Sequence, residues 1–473
     1  MCMSLLVVVI YNYSLAGIVE SDIWWHLRDA RTLVQNHVFL RSDTYSFTAA
    51  GSPWINFEWL SELPYYLSFR TFGLQGILLL YFAVLVLIFA GVYYRACRAG
   101  ADCKDAAIAT LGAICLGIVS MGPRMLLFGW LCLMGVLLIL DHFRRTGRGL
   151  WLLPPLFALW INLHASWVFG FVVLGATIVS GLLEGEWGLV EAKRWSPLQL
   201  KELLLASAAS IPALFMNPFG YKLVLYPFDM LFRQQNVMQY IDEWQPVDFS
   251  NANGRLALFM IFAVLAAALF SRQRWRLDEA LLTGFALWMA LSHQRFLFFA
   301  GLIMAPILAP RLKLFPPYER DTDKPWLNAV VVVGVIASLA FVFPTASQLR
   351  EKLDAKFPTR ALEFMQDHQL SGRLFNQYGW GGYIEWHAPE MKPGIDGRAD
   401  IFVYNGAFKD FLNAMALKDS LSTLDKYRVD YVLIGAKEPM TYLLARTPAW
   451  QRIYSDDLAV LFERTSLGAN GPK

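Results

Sequence analysis

The sequence predicts an α-helical polytopic membrane protein with about eleven transmembrane helices and a small C-terminal α/β domain outside the membrane. The 473 residues are 56% hydrophobic and only 17% charged, apolar stretches recur up to Pro344, and charge mixes with short alternating runs after it. This composition is too apolar for a soluble multidomain enzyme. The net charge of +3 is too small to indicate nucleic acid as a partner.

The membrane-spanning part is predicted from apolar length. A hydrocarbon core roughly 30 Å thick requires about 17 to 25 apolar residues in a helix. The first candidate lacks a basic leader, so we expect a retained span rather than a signal peptide. The eleven candidates are residues 3–19, 73–93, 106–121, 125–140, 150–163, 166–183, 199–216, 256–271, 279–294, 296–310 and 326–344.

The basic residues of the short connecting loops predict the orientation. Counted from a cytoplasmic N terminus, the short loops on one side hold thirteen basic residues, and the positive-inside rule assigns this side to the cytoplasm. We therefore expect a transmembrane domain, 1–344, with an outer loop, 20–72, and a periplasmic domain, 345–473. The segment 217–255 is expected on the same outer side. The basic residues are Arg95, Arg98, Lys104, Arg144, Arg145, Arg148, Lys193, Arg194, Arg272, Arg274, Arg276, Arg311 and Lys313.

The C-terminal domain is predicted to be α/β. About 130 residues can bury a core of their own, and both helical and alternating patterns are present. The predicted helices are residues 359–370 and 406–417, and the predicted strands are residues 373–378, 381–386, 430–435 and 458–464.

The first outer loop is dense in chemistry-bearing side chains. Glu20, Asp22, His26, Asp43 and Glu58 lie among four tryptophans in residues 20–72. A loop that only joined two spans would not need this composition, although Trp also anchors chains at membrane interfaces. The loop therefore predicts a site built at the membrane face.

Polar residues also gather at the outer ends of later spans, whereas the span interiors are nearly free of charge. Arg124, Asn162, His164 and Arg295 all have such positions. This indicates a cavity open to the outer leaflet, lined by cations that can hold a phosphate. It argues against an ion-coupled transporter, which places charges near the midplane, and favours an enzyme acting at the membrane surface.

Several motifs follow one another along the chain: DIWWHLRDARTLV, GPRM, WINLHASWVFG, NPFG, IDEW, SHQRF and PGIDGRAD. Their order resembles the bacterial membrane glycosyltransferases of the GT-C superfamily, which use polyprenyl-phosphate sugars as donors. The resemblance covers nearly the whole chain. It implies transfer of a sugar to a glycan, lipid or protein acceptor at the outer face of the bacterial inner (cytoplasmic) membrane.

The resemblance also implies that an acid just after the first span is the catalytic base, and Asp22 has that position. A carboxylate within hydrogen-bond reach can take the proton of an acceptor hydroxyl as it attacks the anomeric carbon. The alternatives for Asp22 are helix capping or pairing with Arg28, and Glu20 is the nearest rival base. His26 is expected near the acceptor.

Other carboxylates are candidates with open alternatives. Asp43 either orients the acceptor, binds a cation or begins a turn. Glu58 and Glu243 are possible second carboxylates. A divalent metal is possible if two of these meet Asp22, but the spacing requires none and no metal ligand is assigned.

Arg124 and Arg295 are the candidates for the lipid-linked phosphate, with His164 and Asn162 beside them. The alternative for the arginines is snorkelling to the headgroups, and for His164 a hydrogen-bonded core position.

In the C-terminal domain, Asp396 and Arg398 either help to select the acceptor or form an internal pair that holds their loop. The other function classes left open are a lipid-linked glycan ligase, a flippase and a non-catalytic membrane scaffold. A flippase would need charge along a path through the bilayer, and a scaffold would need no cluster of acids and arginines.

Overall fold

The computed structural model describes residues 1–233, 241–319 and 323–465. The predicted outer segment 217–255 includes residues 234–240, and the predicted C-terminal domain includes residues 466–473, which lie outside the described residues. The chain forms two compact units. Unit 1 comprises Met1–Ile18 and Leu78–Phe343, and unit 2 comprises Val19–Ile77 and Pro344–Lys473.

Unit 1 is helical, as its apolar stretches predict. Its 3₁₀ turns, Ile118–Ser120, Ala165–Trp167 and Gln294–Phe296 among them, adjoin the helix ends that carry the candidate phosphate ligands. The helices are Cys2–Gly17, the part of Trp59–Arg98 from Leu78 onward, Cys103–Gly117, Leu126–Thr146, Leu153–Leu163, Val168–Leu182, Pro197–Ala213, Tyr221–Arg233, Ala252–Phe270, Leu277–Ser292, Leu297–Leu312 and Pro325–Phe341. The strands Gly185–Trp187, Val190–Ala192 and Trp275–Arg276 form a small sheet in that order.

All eleven predicted spans are helical, but they differ in length. Within the described chain, six helices are long and apolar enough to cross a membrane, and one bent helix pair raises the number to seven. The remaining predicted spans form shorter helices, such as the 16 residues of Cys2–Gly17 and the 11 residues of Leu153–Leu163. The number of eleven spans therefore stays a prediction.

The helix Leu297–Leu312 is the centre of unit 1. Every residue from Leu297 to Arg311 is buried. A helix that is apolar on all faces must be surrounded by other helices. Gly301 permits a close approach, since a Cβ at this position would lie 3.0 Å from Ala113 Cα of the helix Cys103–Gly117.

Unit 2 is an α/β structure. Its helices are Ile23–Asn36, the part of Trp59–Arg98 up to Ile77, Ala346–Asp354, Thr359–Asp367, Gly381–His387, Ala399–Tyr404, Ala407–Met415, Ser420–Lys426 and Pro439–Leu444. Its mixed five-stranded sheet has the order Met391–Pro393, Gly372–Asn376, Tyr431–Gly435, Ala459–Arg464 and Trp450–Ser455. The first three strands are parallel, and the last two pair antiparallel.

The first loop is an integral part of unit 2. Trp25 and Trp54 belong to the same buried apolar cluster as Phe375 and Phe402. The Phe47 amide also donates to the Pro393 carbonyl at 3.1 Å. The sequence-based division assigned residues 20–72 to the first domain, whereas the compact unit joins them to the C-terminal residues.

One local prediction is wrong. Residues 381–386 were predicted as a strand, but Gly381–His387 is a helix. It is buried on successive residues, so its sequence carries no helical period. The helix that begins at Trp59 continues through Pro64 and breaks at Gly73, whose φ of 60° is in the left-handed region that glycine favours.

Candidate functional site

Unit 2 gathers the acids predicted from the first loop with those of the C-terminal motif. Asp43 is 2% exposed, and Asp396 and Arg398 are 0% and 3% exposed. Arg398 Nη2 donates to Asp43 at 2.8 Å and to Asp396 at 2.6 Å. Residues about 355 positions apart in sequence therefore share one buried ion-pair network.

Asp43 forms a turn. Its Oδ2 accepts from the Ser46 amide at 3.1 Å and from Ser46 Oγ at 2.7 Å, while Oδ1 accepts from the Tyr45 amide at 3.3 Å. Arg398 donates to the same carboxylate. The contacts of Asp43 are therefore those of the turn-forming alternative. A catalytic role for Asp43 stays a prediction.

Arg398 is held on three sides. Its Nε also donates to Asp396 at 2.9 Å, and its guanidinium carbon lies 4.8 Å from the centroid of the Trp54 ring. Burial disfavours ionisation of Asp396, but Arg398 outweighs it and lowers the pKa of that carboxyl. Burial, and then the charge of Asp396, raise the pKa of Glu385 well above its usual value. The alternative of an internal pair that holds the loop fits this geometry.

His26 belongs to a second polar network in unit 2. His26 Nδ1 lies 2.8 Å from Glu62 Oε1, and His26 Nε2 lies 3.8 Å from Glu58 Oε2. Asn56 Nδ2 donates to both oxygens of Glu62, at 3.0 and 2.9 Å, and to Asp29 at 2.7 Å. Glu58 is 9% exposed. These groups brace two helices of the loop against each other rather than face solvent.

Asp22 has a different environment. It precedes the helix Ile23–Asn36 and is half-buried, and its side chain makes no capping hydrogen bond to that helix. Arg28, the alternative partner, donates to the Glu385 carbonyl at 2.6 Å. The Asp22 carboxylate lies against Gly397, where an added Cβ would overlap Oδ1.

The remaining candidates of the loop do not assemble a metal centre. Glu20 is half-buried in unit 2. Across residues 1–233, 241–319 and 323–465, no group of three or more His, Cys, Asp or Glu side chains is arranged to hold a metal ion.

Unit 1 gathers the predicted phosphate ligands at neighbouring helix ends. Arg124 Nη1 forms an ion pair with Glu243 Oε1 at 2.5 Å, and both side chains are about one quarter exposed. The adjacent Trp244 supports Arg295, whose guanidinium carbon lies 4.3 Å from the ring centroid. The arrangement places two guanidinium groups around one three-residue turn, Asp242–Trp244.

The backbone around Arg295 is fixed by the same segment. His293 Nδ1 donates to the Trp244 carbonyl at 2.7 Å, because a carbonyl can only accept. The Gln294 amide donates to the Gln245 carbonyl at 3.0 Å, and Ser120 Oγ donates to the Arg295 carbonyl at 3.1 Å. Arg295 is thus held on a rigid turn.

His164 is a neutral hydrogen-bond donor. Its Nδ1 accepts from the Ser166 amide at 2.9 Å, so the ring proton is on Nε2. Burial, and then the nearby charge of Arg295, lower the pKa of His164 to about 3. Asn162 has a structural position, since its Nδ2 donates to the Ala158 and Met216 carbonyls at 2.8 Å each.

Sequence reasoning missed several members of these networks. Glu62 and Asp29 carried a usable signal, because Glu62 is four residues after Glu58 and Asp29 is three after His26, which places each pair on one helix face. Asn56 and Glu385 carried no such signal, because only tertiary folding brings their partners close to them.

Comparison with known proteins identifies the fold. No protein-family model matches the chain, and no curated protein matches it by sequence. Among solved structures, it is similar to the crystal structure of ArnT from Cupriavidus metallidurans bound to undecaprenyl phosphate, with a TM-score of 0.55 and 13% identity. The similarity covers 100% of this chain and 98% of that one. The chain therefore shares the fold of this ArnT structure.

Proposed function

We propose that this protein is a membrane glycosyltransferase that moves a sugar from a polyprenyl-phosphate donor to a glycan, lipid or protein acceptor at the outer face of the bacterial inner membrane. The observation that carries the proposal is the grouping of Arg124, Arg295 and His164 at one set of helix ends in unit 1. A fold shared over the whole chain with ArnT, whose crystal structure holds undecaprenyl phosphate, supports it.

The chemistry assigns a task to each group. The acceptor oxygen forms a bond to the anomeric carbon while the bond from that carbon to the phosphate oxygen breaks. The leaving polyprenyl phosphate gains a negative charge, which guanidinium groups and the His164 Nε2–H can stabilise. The acceptor hydroxyl loses its proton, and Asp22 is the carboxylate assigned to accept it.

The donor-binding part is tested with undecaprenyl phosphate and the purified full chain. Arg295→Ala and Arg124→Ala should each weaken binding at least about tenfold, because each removes a charge-assisted hydrogen bond. Arg255→Ala removes an exposed arginine of unit 1 outside the cluster and is the matched control. Unchanged affinity in both cluster variants would contradict the assignment.

The catalytic part is tested with synthetic decaprenyl-phosphate hexoses and pentoses as donors and a bacterial envelope extract as acceptor. Asp22→Asn should reduce transfer by a factor of about 10² to 10⁴ while leaving undecaprenyl phosphate binding intact. Glu20→Gln tests the rival base. Full transfer by Asp22→Asn together with loss of transfer by Glu20→Gln would exchange the two roles.

If the wild type binds undecaprenyl phosphate but transfers no sugar from any of these donors, a non-transferase function is favoured.

A further inference from the structure

Unit 1 contains a second basic cavity at helix ends remote from Arg124 and Arg295. The helix Leu126–Thr146 runs from one group to the other, and its 21 residues separate them by about 30 Å. The cavity has a volume of about 190 Å³. Five arginines from three segments line it: Arg95, Arg98, Arg144, Arg145 and Arg276.

Three carboxylates line the same cavity and neutralise part of the positive charge of the arginines. Asp141 accepts from Arg95 Nε at 2.7 Å, and Asp278 accepts from Arg144 Nη2 at 2.6 Å. Glu279 is the third. These pairs fix the side chains of Arg95 and Arg144 in place, so this part of the lining is preorganised.

The positive charge exceeds what these carboxylates balance. Five arginines against three carboxylates leave a formal excess of two in the lining. Among the described residues, neither Arg98 nor Arg145 has an ion-pair partner within 4.0 Å. Arg95 Nη1 is buried and lacks a hydrogen-bond partner within the described chain. A buried donor of this kind calls for a ligand or water to satisfy it.

The rest of the lining selects the chemistry of the ligand. Leu137, Leu140, Val173 and Ile303 form an apolar wall beside the arginines. A guanidinium fork matches the oxygens of a phosphate, and an apolar wall suits the glycerol and first methylenes of a lipid. Basic pockets between membrane helices on the cytoplasmic side bind anionic lipid headgroups by the same physics. A cavity of about 150 Å³ is large enough to bind benzene, so this cavity of about 190 Å³ is large enough for a phosphate group.

We infer that this cavity, lined by Arg95, Arg98, Arg144, Arg145 and Arg276, is a binding site for the phosphate of an anionic phospholipid. It is distinct from the proposed donor site, because it lies at the opposite ends of the same helices. It does not depend on the transferase proposal. Its occupancy would stabilise the basic ends of the bundle.

The test uses the delipidated full-length protein in dodecyl maltoside, with phosphatidylglycerol, phosphatidylcholine and inorganic phosphate as separate probes. The double variant R98Q/R145Q removes two exposed arginines of the lining. The control R148Q/R272Q removes equal charge from exposed positions on the same predicted side that do not line the cavity. The readouts are the Tm shift on titration and native mass spectrometry of retained lipid.

Phosphatidylglycerol should raise Tm in the wild type and in the control, and its apparent Kd should rise at least about tenfold in R98Q/R145Q. Phosphatidylcholine should produce a smaller shift. An equal shift with inorganic phosphate, lost in the same variant, would keep the phosphate site but overturn the lipid as its source. Equal losses in both double variants, or no shift with any anion, would overturn the site.

Discussion

At the scale of single residues, Gly397 decides where the Asp22 carboxylate lies. A Cβ at Gly397 would overlap Asp22 Oδ1 and approach Trp25 Nε1 to 3.0 Å. The close approach of two segments 375 positions apart in sequence is possible only because Gly397 has no side chain. We therefore expect Gly397 to act as a positioning residue for the proposed base.

Gly397→Ala should reduce transfer about 10- to 100-fold with unchanged undecaprenyl phosphate binding, since a misplacement of about 1 Å costs this much. Gly379→Ala is the control, because no atom lies within 4 Å of its added Cβ. If Gly397 acts through Asp22, the double variant Asp22→Asn with Gly397→Ala should be no slower than Asp22→Asn alone. Additive losses would indicate an independent role.

Arg398 illustrates how burial changes the value of an ion pair. Its side chain is 1% exposed and bridges two carboxylates, whereas Arg350 is 67% exposed in a 3.5 Å pair with Glu363. Removing one partner of a buried pair leaves uncompensated charge, and an exposed pair contributes little.

Arg398→Gln should therefore destabilise the protein by about 3–5 kcal/mol, and Arg350→Gln by less than about 1 kcal/mol. Thermal unfolding in detergent, followed by tryptophan fluorescence, measures both. A similar small loss in both variants would show that the buried network does not hold unit 2 together.

At the scale of elements, the helix Ile23–Asn36 carries Asp29, a buried carboxyl whose ionised form is disfavoured by its burial. Burial raises the pKa of Asp29 from 3.8 to about 7, against hydrogen bonds from Tyr45 and Asn56. Between about pH 4 and 7 the folded chain holds a proton that the unfolded chain has released, so stability falls as pH rises through this window.

Asp29→Asn should flatten that dependence. The wild-type Tm should fall between pH 5 and 7, and the fall should be smaller in the variant because an amide does not titrate. Asp367→Asn alters an exposed aspartate of unit 2 and should retain the wild-type slope. Parallel slopes in all three proteins would exclude Asp29 as the source.

Close packing predicts opposite effects for two glycines of unit 1, Gly301 in the central helix and Gly284 in the helix Leu277–Ser292. A Cβ at Gly301 would lie 3.0 Å from Ala113 Cα, while a Cβ at Gly284 meets nothing within 4 Å. Gly301→Ala should destabilise by about 1–3 kcal/mol through overpacking, whereas Gly284→Ala should be neutral or stabilising by up to about 1 kcal/mol. Detergent Tm values separate the two, and equal shifts would contradict the packing argument.

Which elements were predictable depended on whether the signal was local. Apolar length predicted the helices at all eleven candidate spans because a membrane imposes that length segment by segment. The helix Tyr221–Arg233 of unit 1 was not among them. The helix Gly381–His387 was missed because residues on all its sides are buried, leaving no period to read. Candidate site residues were chosen by residue type. The contacts of Asp22 with Gly397 and of Asp43 with Arg398 depend on tertiary folding, so the spacing of these residues in the sequence does not predict them.

At the scale of the whole molecule, the distribution of basic residues predicts the topology. The short loops assigned to the inner side hold thirteen arginines and lysines, and residues 20–72 and 345–473 are assigned to the outer side. The assignment rests on charge counting and is independent of the transferase chemistry. It determines from which side of the membrane an acceptor must arrive.

Single cysteines test this topology in a variant whose five native cysteines are replaced by serine. Lys418→Cys, exposed in unit 2, should react with a membrane-impermeant maleimide in intact spheroplasts. Arg272→Cys, exposed in unit 1 on the predicted inner side, should react only after permeabilisation. The positive-inside rule requires this difference because translocation of short basic loops is unfavourable. Labelling of Arg272→Cys alone in intact spheroplasts would reverse the orientation, and an acceptor would then have to come from the cytoplasm.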